Sequence, residues 1–184
     1  MPEAASGLSA WESFYVIVGS SGGALIGLQF VVITLIADRR HRYSSGTSLS
    51  AFGTPTVVHL TGALGISAIM SAPWPSRGPL AAALVGWGIA GLIYGVVVVR
   101  RARRQTEYQP VWEDWLWYVT LPFVVYGTLT GGALALRGAA HPIVPQFVVA
   151  TAALGLLLIG IHNAWDTVVH IVLSSSRDDD GSVS

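Results

Sequence analysis

The stretch Phe14–Ile36 reads FYVIVGSSGGALIGLQFVVITLI, 23 consecutive residues without a single charged side chain. An α-helix rises about 1.5 Å per residue, so about 20 apolar residues cross a hydrocarbon core of about 30 Å. The run is continuous and lacks the apolar-out, polar-in alternation of a membrane β-strand. It reads as a membrane-crossing helix. Four more blocks of the same kind follow: Ser50–Ser71, Leu80–Val99, Trp115–Leu136 and Phe147–Val172, of 22, 20, 22 and 26 residues. The expected fold is therefore an all-α integral membrane protein. It forms one domain over residues 1–184, a bundle of five transmembrane helices.

Composition agrees. Of 184 residues, 52% are hydrophobic and 11% charged, and the mean hydropathy is +0.59. A soluble domain carries about 25% charged residues. Ten acidic and ten basic residues cancel, which leaves no basic face for nucleic acid. Cysteine is absent, and this excludes disulfides, thiolate metal sites, iron–sulfur clusters and cysteine nucleophiles.

Boundary signals fit the five blocks. Pro55 falls in the first turn of the second block and Pro145 just before the fifth, both suited to helix starts. Pro73, Pro75 and Pro79 bracket a tight connection around Trp74, and Pro122 is expected to kink the fourth helix. Arg39, Arg40 and Arg42 follow the first block, Arg100, Arg101, Arg103 and Arg104 follow the third, and Arg177 lies in the tail. Only Arg77 and Arg137 fall on the opposite side. The positive-inside rule then places the N-terminus outside and the C-terminus in the cytoplasm. Trp112, Trp115, Trp117 and Tyr118 suit a cytoplasmic interfacial belt, with Trp11, Tyr15 and Trp74 on the outer side. No basic stretch precedes the first block, so it reads as an uncleaved helix rather than a signal peptide. No connection is long enough for a soluble domain, and the Ser- and Asp-rich segment 174–184 is expected to be a mobile tail.

Small residues recur at helical spacing: Gly19, Gly23 and Gly27 in the first helix, Gly91 and Gly95 in the third, Gly127 and Gly131 in the fourth. Such stripes let helix backbones approach closely in lipid. They serve contacts inside one bundle or, on the first helix, an interface with another subunit or a membrane partner. Ser20-Ser21-Gly22-Gly23 belongs to this packing face and has no basic partner that would make it a phosphate cradle.

Polar residues at membrane depth carry the functional information. His162, Asp166 and His170 fall at i, i+4 and i+8 on one face of the fifth helix, flanked by Asn163 and Thr167. With the helix ending near Val172, Asp166 lies about 9 Å and His162 about 15 Å inside that end. His59 and Gln29 come to a similar depth on the second and first helices. A cluster of Gln29, His59, His162, Asn163 and Asp166, with His170 below it, handles ions or protons on one reading. On another, the bilayer ends near Trp165, and Asp166 sits among headgroups as a structural group. On a third, His59 and His162 hold a haem or a metal ion; no second carboxylate-rich helix supports a di-iron site. No P-loop, dinucleotide fingerprint, Gly-x-Ser-x-Gly elbow or His-Glu-x-x-His is present. The sequence points away from an enzyme and requires no cofactor.

The opening Trp11-Glu12-Ser13-Phe14, the run to Gly27-Leu28-Gln29-Phe30 and the late His162-Asn163-Ala164-Trp165-Asp166 resemble small polytopic membrane proteins of bacteria. The resemblance covers the two end helices and brings no activity with it; it implies a multi-pass protein of the inner membrane. Three functions follow as expectations. The first is an oligomeric channel or transporter-like protein with a polar cluster in its cytoplasmic half. The second is a non-conducting accessory subunit of a larger membrane complex, and the third a haem- or metal-binding membrane protein.

Overall fold

The computed structural model describes residues 10–40, 49–102 and 112–181; side chains are outside the description at 36–40, 49–54, 101–102, 114 and 170–181. All regular structure among the described residues is helical. Helix α1 is Glu12–Arg40, α2 is Leu49–Ser71, α3 is Arg77–Ala102 and α5 is Ile143–Gly181. Helix α4 joins three consecutive segments: Trp112–Trp115, a π-helical turn Leu116–Thr120, and Leu121–Gly138. Four stretches are long and apolar enough to cross a membrane: Glu12–Leu35, Arg77–Arg100, Leu116–Gly138 and Ile143–Val169. The apolar part of α2 whose side chains are described, Pro55–Ser71, is shorter.

Each helix covers its expected block and runs past it. The largest extension is at α5, which continues beyond Val172 to Gly181. The backbone is thus helical through most of the segment expected to be a mobile tail, and residues 182–184 lie outside the described residues. So do Arg42, Arg103 and Arg104, together with the side chains of Arg39, Arg40, Arg101 and Arg177.

The helices pack as a chain of neighbours. Helix α2 lies against both α1 and α5, α5 also against α4, and α4 against α3, while α2–α3 and α1–α5 touch only lightly. The α2–α5 pair is therefore the centre. More than half of the apolar stretch of α5, 56%, is buried, against 22% for α1 and for α3. Leu60, Ala63, Ile66, Leu84, Leu129, Ala133, Val149, Ala153 and Leu156 form the core. Outward faces are apolar too, with Ile17, Leu28, Ile93, Leu134, Val144 and Leu158 all more than half exposed. An exterior of that kind suits lipid rather than water.

Glycines set how closely the helices meet. No described glycine has a positive φ, so they act here through the missing side chain. A Cβ on Gly160 of α5 would stand 2.5 Å from Leu60 Cδ2 of α2, and one on Gly62 would stand 2.9 Å from Leu156 Cδ1. Gly65 seats the indole of Trp87 from α3, whose Nε1–H donates to the Gly62 carbonyl at 3.2 Å. Of the expected packing glycines, Gly19 meets Ser67, Gly91 meets the Tyr126 ring and Gly95 meets Phe123. A Cβ on Gly23, Gly27, Gly127 or Gly131 would meet nothing from another helix within 4 Å among the described residues. Their stripes face outward, and Gly22 and Gly132 make the α1–α2 and α4–α5 contacts instead.

Pro122 produces a change of register. Proline offers no N–H to the preceding turn and crowds the carbonyl four residues back. The chain takes up one extra residue before it: the Leu121 N–H bonds to the Leu116 carbonyl, five residues back. Thr120 Oγ1 donates to the Trp115 carbonyl at 3.1 Å. At the opposite end of the bundle, Trp74 Nε1–H caps the Ile69 carbonyl at 2.6 Å. Arg77 reaches across to the Ala139 carbonyl at 3.2 Å, tying the α2–α3 turn to the α4–α5 turn.

These contacts separate two kinds of glycine. Gly65→Ala and Gly91→Ala should each lower unfolding stability by about 1–3 kcal/mol through overpacking. Gly27→Ala and Gly131→Ala should leave it unchanged or raise it by up to about 1 kcal/mol, the helix propensity gained. Unfolding of the detergent-solubilised protein in a denaturing detergent measures all four. Equal losses throughout would show that the outward glycines are packed against something.

Candidate functional site

The expected polar cluster is divided in two by the direction its residues face on α5. Asn163 and His162 are neighbours in sequence and therefore about 100° apart around the helix. Asn163 turns into the bundle and is fully buried, whereas His162 lies toward α4, against Trp117. Asp166, one turn beyond His162, shares that second direction and is exposed.

The inner half forms where α1, α2 and α5 converge on Leu60. A Cβ on Gly160 would approach the Leu60 amide at 3.3 Å, and one on Gly22 the Leu60 carbonyl at 3.2 Å. His59, beside Leu60, is buried. Its Nδ1 is 3.5 Å from the Tyr126 hydroxyl of α4, a long contact whose donor depends on the imidazole tautomer. From this level toward the end of the bundle where α1 finishes and α2 begins, Asn163 lies three residues along α5 and Thr56 four along α2, about 5–6 Å. Gln29 lies seven residues along α1, about 10 Å. All three are buried. Neither the Nδ2 nor the Oδ1 of Asn163 has a hydrogen-bond partner among the described residues. The Asn163 backbone carbonyl, by contrast, accepts from Thr167 Oγ1 at 2.8 Å.

The outer half is a seam between α4 and α5. The Trp117 indole stacks on the His162 ring with centroids 3.6 Å apart and planes 15° from parallel. The Tyr118 hydroxyl donates to Asp166 Oδ2 at 3.3 Å. Both aromatic residues belong to the π turn, whose extra residue sets their direction toward α5. Trp165 points away and is 70% exposed. The side chain of His170 lies outside the described residues.

Sequence reasoning singled out His59, His162 and Asp166 but missed the residues they meet, Tyr126, Trp117 and Tyr118. Tyr126, like the buried Thr56, was hidden within an apolar block. Trp117 and Tyr118 read as interfacial anchors, because the register change ahead of Pro122 has no signature beyond the proline itself. As for metal or haem ligation, His59 meets Tyr126 and His162 meets Trp117. No group of three or more His, Cys, Asp or Glu gathers among the described residues.

The stack should be measurable. In a double-mutant cycle of Trp117→Leu and His162→Leu, the coupling is expected to be about 0.5–1.5 kcal/mol, the usual worth of an aromatic pair beyond its buried area. A coupling indistinguishable from zero would mean that α4 and α5 are held together elsewhere.

Comparison with protein-family models, with curated proteins and with solved structures finds no match to this chain.

Proposed function

We propose that the chain is a channel or transporter-like protein of the inner membrane, crossing it five times with its N-terminus outside. Its working site is the buried layer of Asn163, His59, Thr56 and Gln29, closed on the α4 side by Tyr126. The observation that carries this reading is the Asn163 carboxamide, fully buried and unpartnered at both polar atoms. An unsatisfied buried polar group costs about 1–3 kcal/mol, and no solvent inside a bilayer relieves it. A packed bundle with no use for that group is more stable with leucine there. Asp166, by contrast, belongs to the rim of the layer rather than to its centre, fastened to Tyr118. The arginine-rich loops support the orientation.

A second reading, the accessory subunit or a homo-oligomer, rests on the outward glycines. Gly23 and Gly27 of α1, and Gly127 and Gly131 of α4, leave open space that another membrane helix fills well. Co-purification of a fixed partner that is lost on Gly23→Leu supports it; a homogeneous monomer counts against it.

The absence of cysteine gives a clean test of the first reading. His59→Cys, in sealed vesicles of known orientation, should react with a membrane-impermeant thiol reagent as the protein cycles. Protection of a folded His59→Cys variant would mean a dry, packed site and would favour the accessory reading. Asn163→Leu should raise thermal stability, by up to about 3 kcal/mol for the orphaned group removed, while abolishing flux in proteoliposomes.

A further inference from the structure

We infer that the site admits a small uncharged hydrogen-bonding solute, water or a molecule of the size of urea or glycerol, rather than an ion. The inference rests on the transport reading above and concerns its substrate class. Every buried polar residue described is of an uncharged or neutralisable type: Gln29, Thr56, His59, Ser67, Gln146 and Asn163. The charged side chains described, Glu12, Arg77, Arg100, Glu113, Arg137 and Asp166, are none of them buried. An ion at membrane depth needs a counter-charge or a ring of free carbonyl oxygens. The described residues provide neither at this level. Helices α1, α2 and α5 pass this level as continuous α-helices, with their carbonyls engaged along their own backbones. The one register break described, the π turn of α4, lies at the rim.

The carboxamide itself discriminates. Asn163 leaves both a donor, Nδ2, and an acceptor, Oδ1, without partners. A cation satisfies the oxygen and is repelled by the amide hydrogens; an anion does the reverse. Only a solute that both donates and accepts satisfies the pair, and water, amides and alcohols do so.

A second station of the same character lies toward the other end of the junction of α1, α2 and α5. Tyr15 of α1 is buried, and its hydroxyl has no hydrogen-bond partner among the described residues. Ser67 of α2 packs on Gly19, one turn from Tyr15. Trp11 stacks edge-on against Phe147 at 4.6 Å, which brings the start of α5, and so Gln146, to the same end. Ser67 and His59 are eight residues apart, about 12 Å. Leu60, Ala63, Ile66 and Leu156 fill the interval and are fully buried. The junction of α1, α2 and α5 thus holds a polar station on each side of an apolar waist, which is the pattern of a route closed in its middle.

The experiment is flux through the full chain in proteoliposomes. Stopped-flow light scattering follows water, urea and glycerol, and encapsulated dyes follow potassium, chloride and protons. The expected result is permeation of at least one of the neutral solutes, with ion and proton fluxes equal to protein-free liposomes. Asn163→Leu should return the neutral flux to that control. Tyr15→Phe, which removes a single oxygen and should fold, is expected to slow it about tenfold, equivalent to about 1.4 kcal/mol. Ion or proton flux that disappears in Asn163→Leu would overturn the substrate class and leave the transport reading standing. No flux of any species would overturn both, and full flux in Tyr15→Phe would overturn the outer station.

Discussion

The close approach of α2 and α5 governs the rest of the bundle. Gly160 lets the Leu60 side chain lie against the α5 backbone, and Gly62 receives Leu156 in return, so the two axes come nearer than side chains on both would permit. In lipid, where apolar side chains gain little by leaving their solvent, contact of this kind and satisfied polar groups are what hold helices together. The remaining helices are arranged around the pair. Helix α1 joins through Gly19 and Gly22, α4 through Gly132 and the Tyr126 ring, and α3 by slotting Trp87 over Gly65. The same closeness explains why a polar layer is confined there rather than washed by solvent. Asn163 and His59 belong to these two closely packed helices.

Dividing the polar residues into a buried set and a rim set changes their chemistry. At the rim, Asp166 and His162 have partners from a single element, the π turn, and these contacts join α4 to α5 without needing any solute. In the interior both polar atoms of the Asn163 carboxamide lack a partner among the described residues, and an unpaired buried carboxamide is unusual in a packed protein.

Much of the architecture was legible in residue order. Long uncharged runs such as Phe14–Ile36 fix helices because lipid leaves the backbone no other hydrogen-bond partners, and the positions of Pro73, Pro75 and Trp74 marked their turn. Depth was counted from a helix end near Val172, and α5 runs on to Gly181, so residue count alone did not make it legible. Facing was not legible either. Gly23 and Gly27 repeat at the same interval as Gly91 and Gly95, yet the first two open outward and the latter two are covered by Tyr126 and Phe123. Nothing in α1 alone distinguishes Gly22 from Gly23, because the neighbour that makes the difference is on α2. Likewise, Gln29, His59 and Asp166 were expected together, and only packing separates the buried first two from the exposed third.

The π turn at Leu116–Thr120 has an effect some distance along the chain from its cause. One additional residue in a helix rotates everything preceding it by about 100° relative to everything following. Trp112, Trp115 and Trp117 therefore face where they do because of a proline that follows them, at position 122. The aromatic edge of the molecule and its helix core are coupled through that single imino acid. Their relative bearing is a property of the backbone rather than of any contact the tryptophans make.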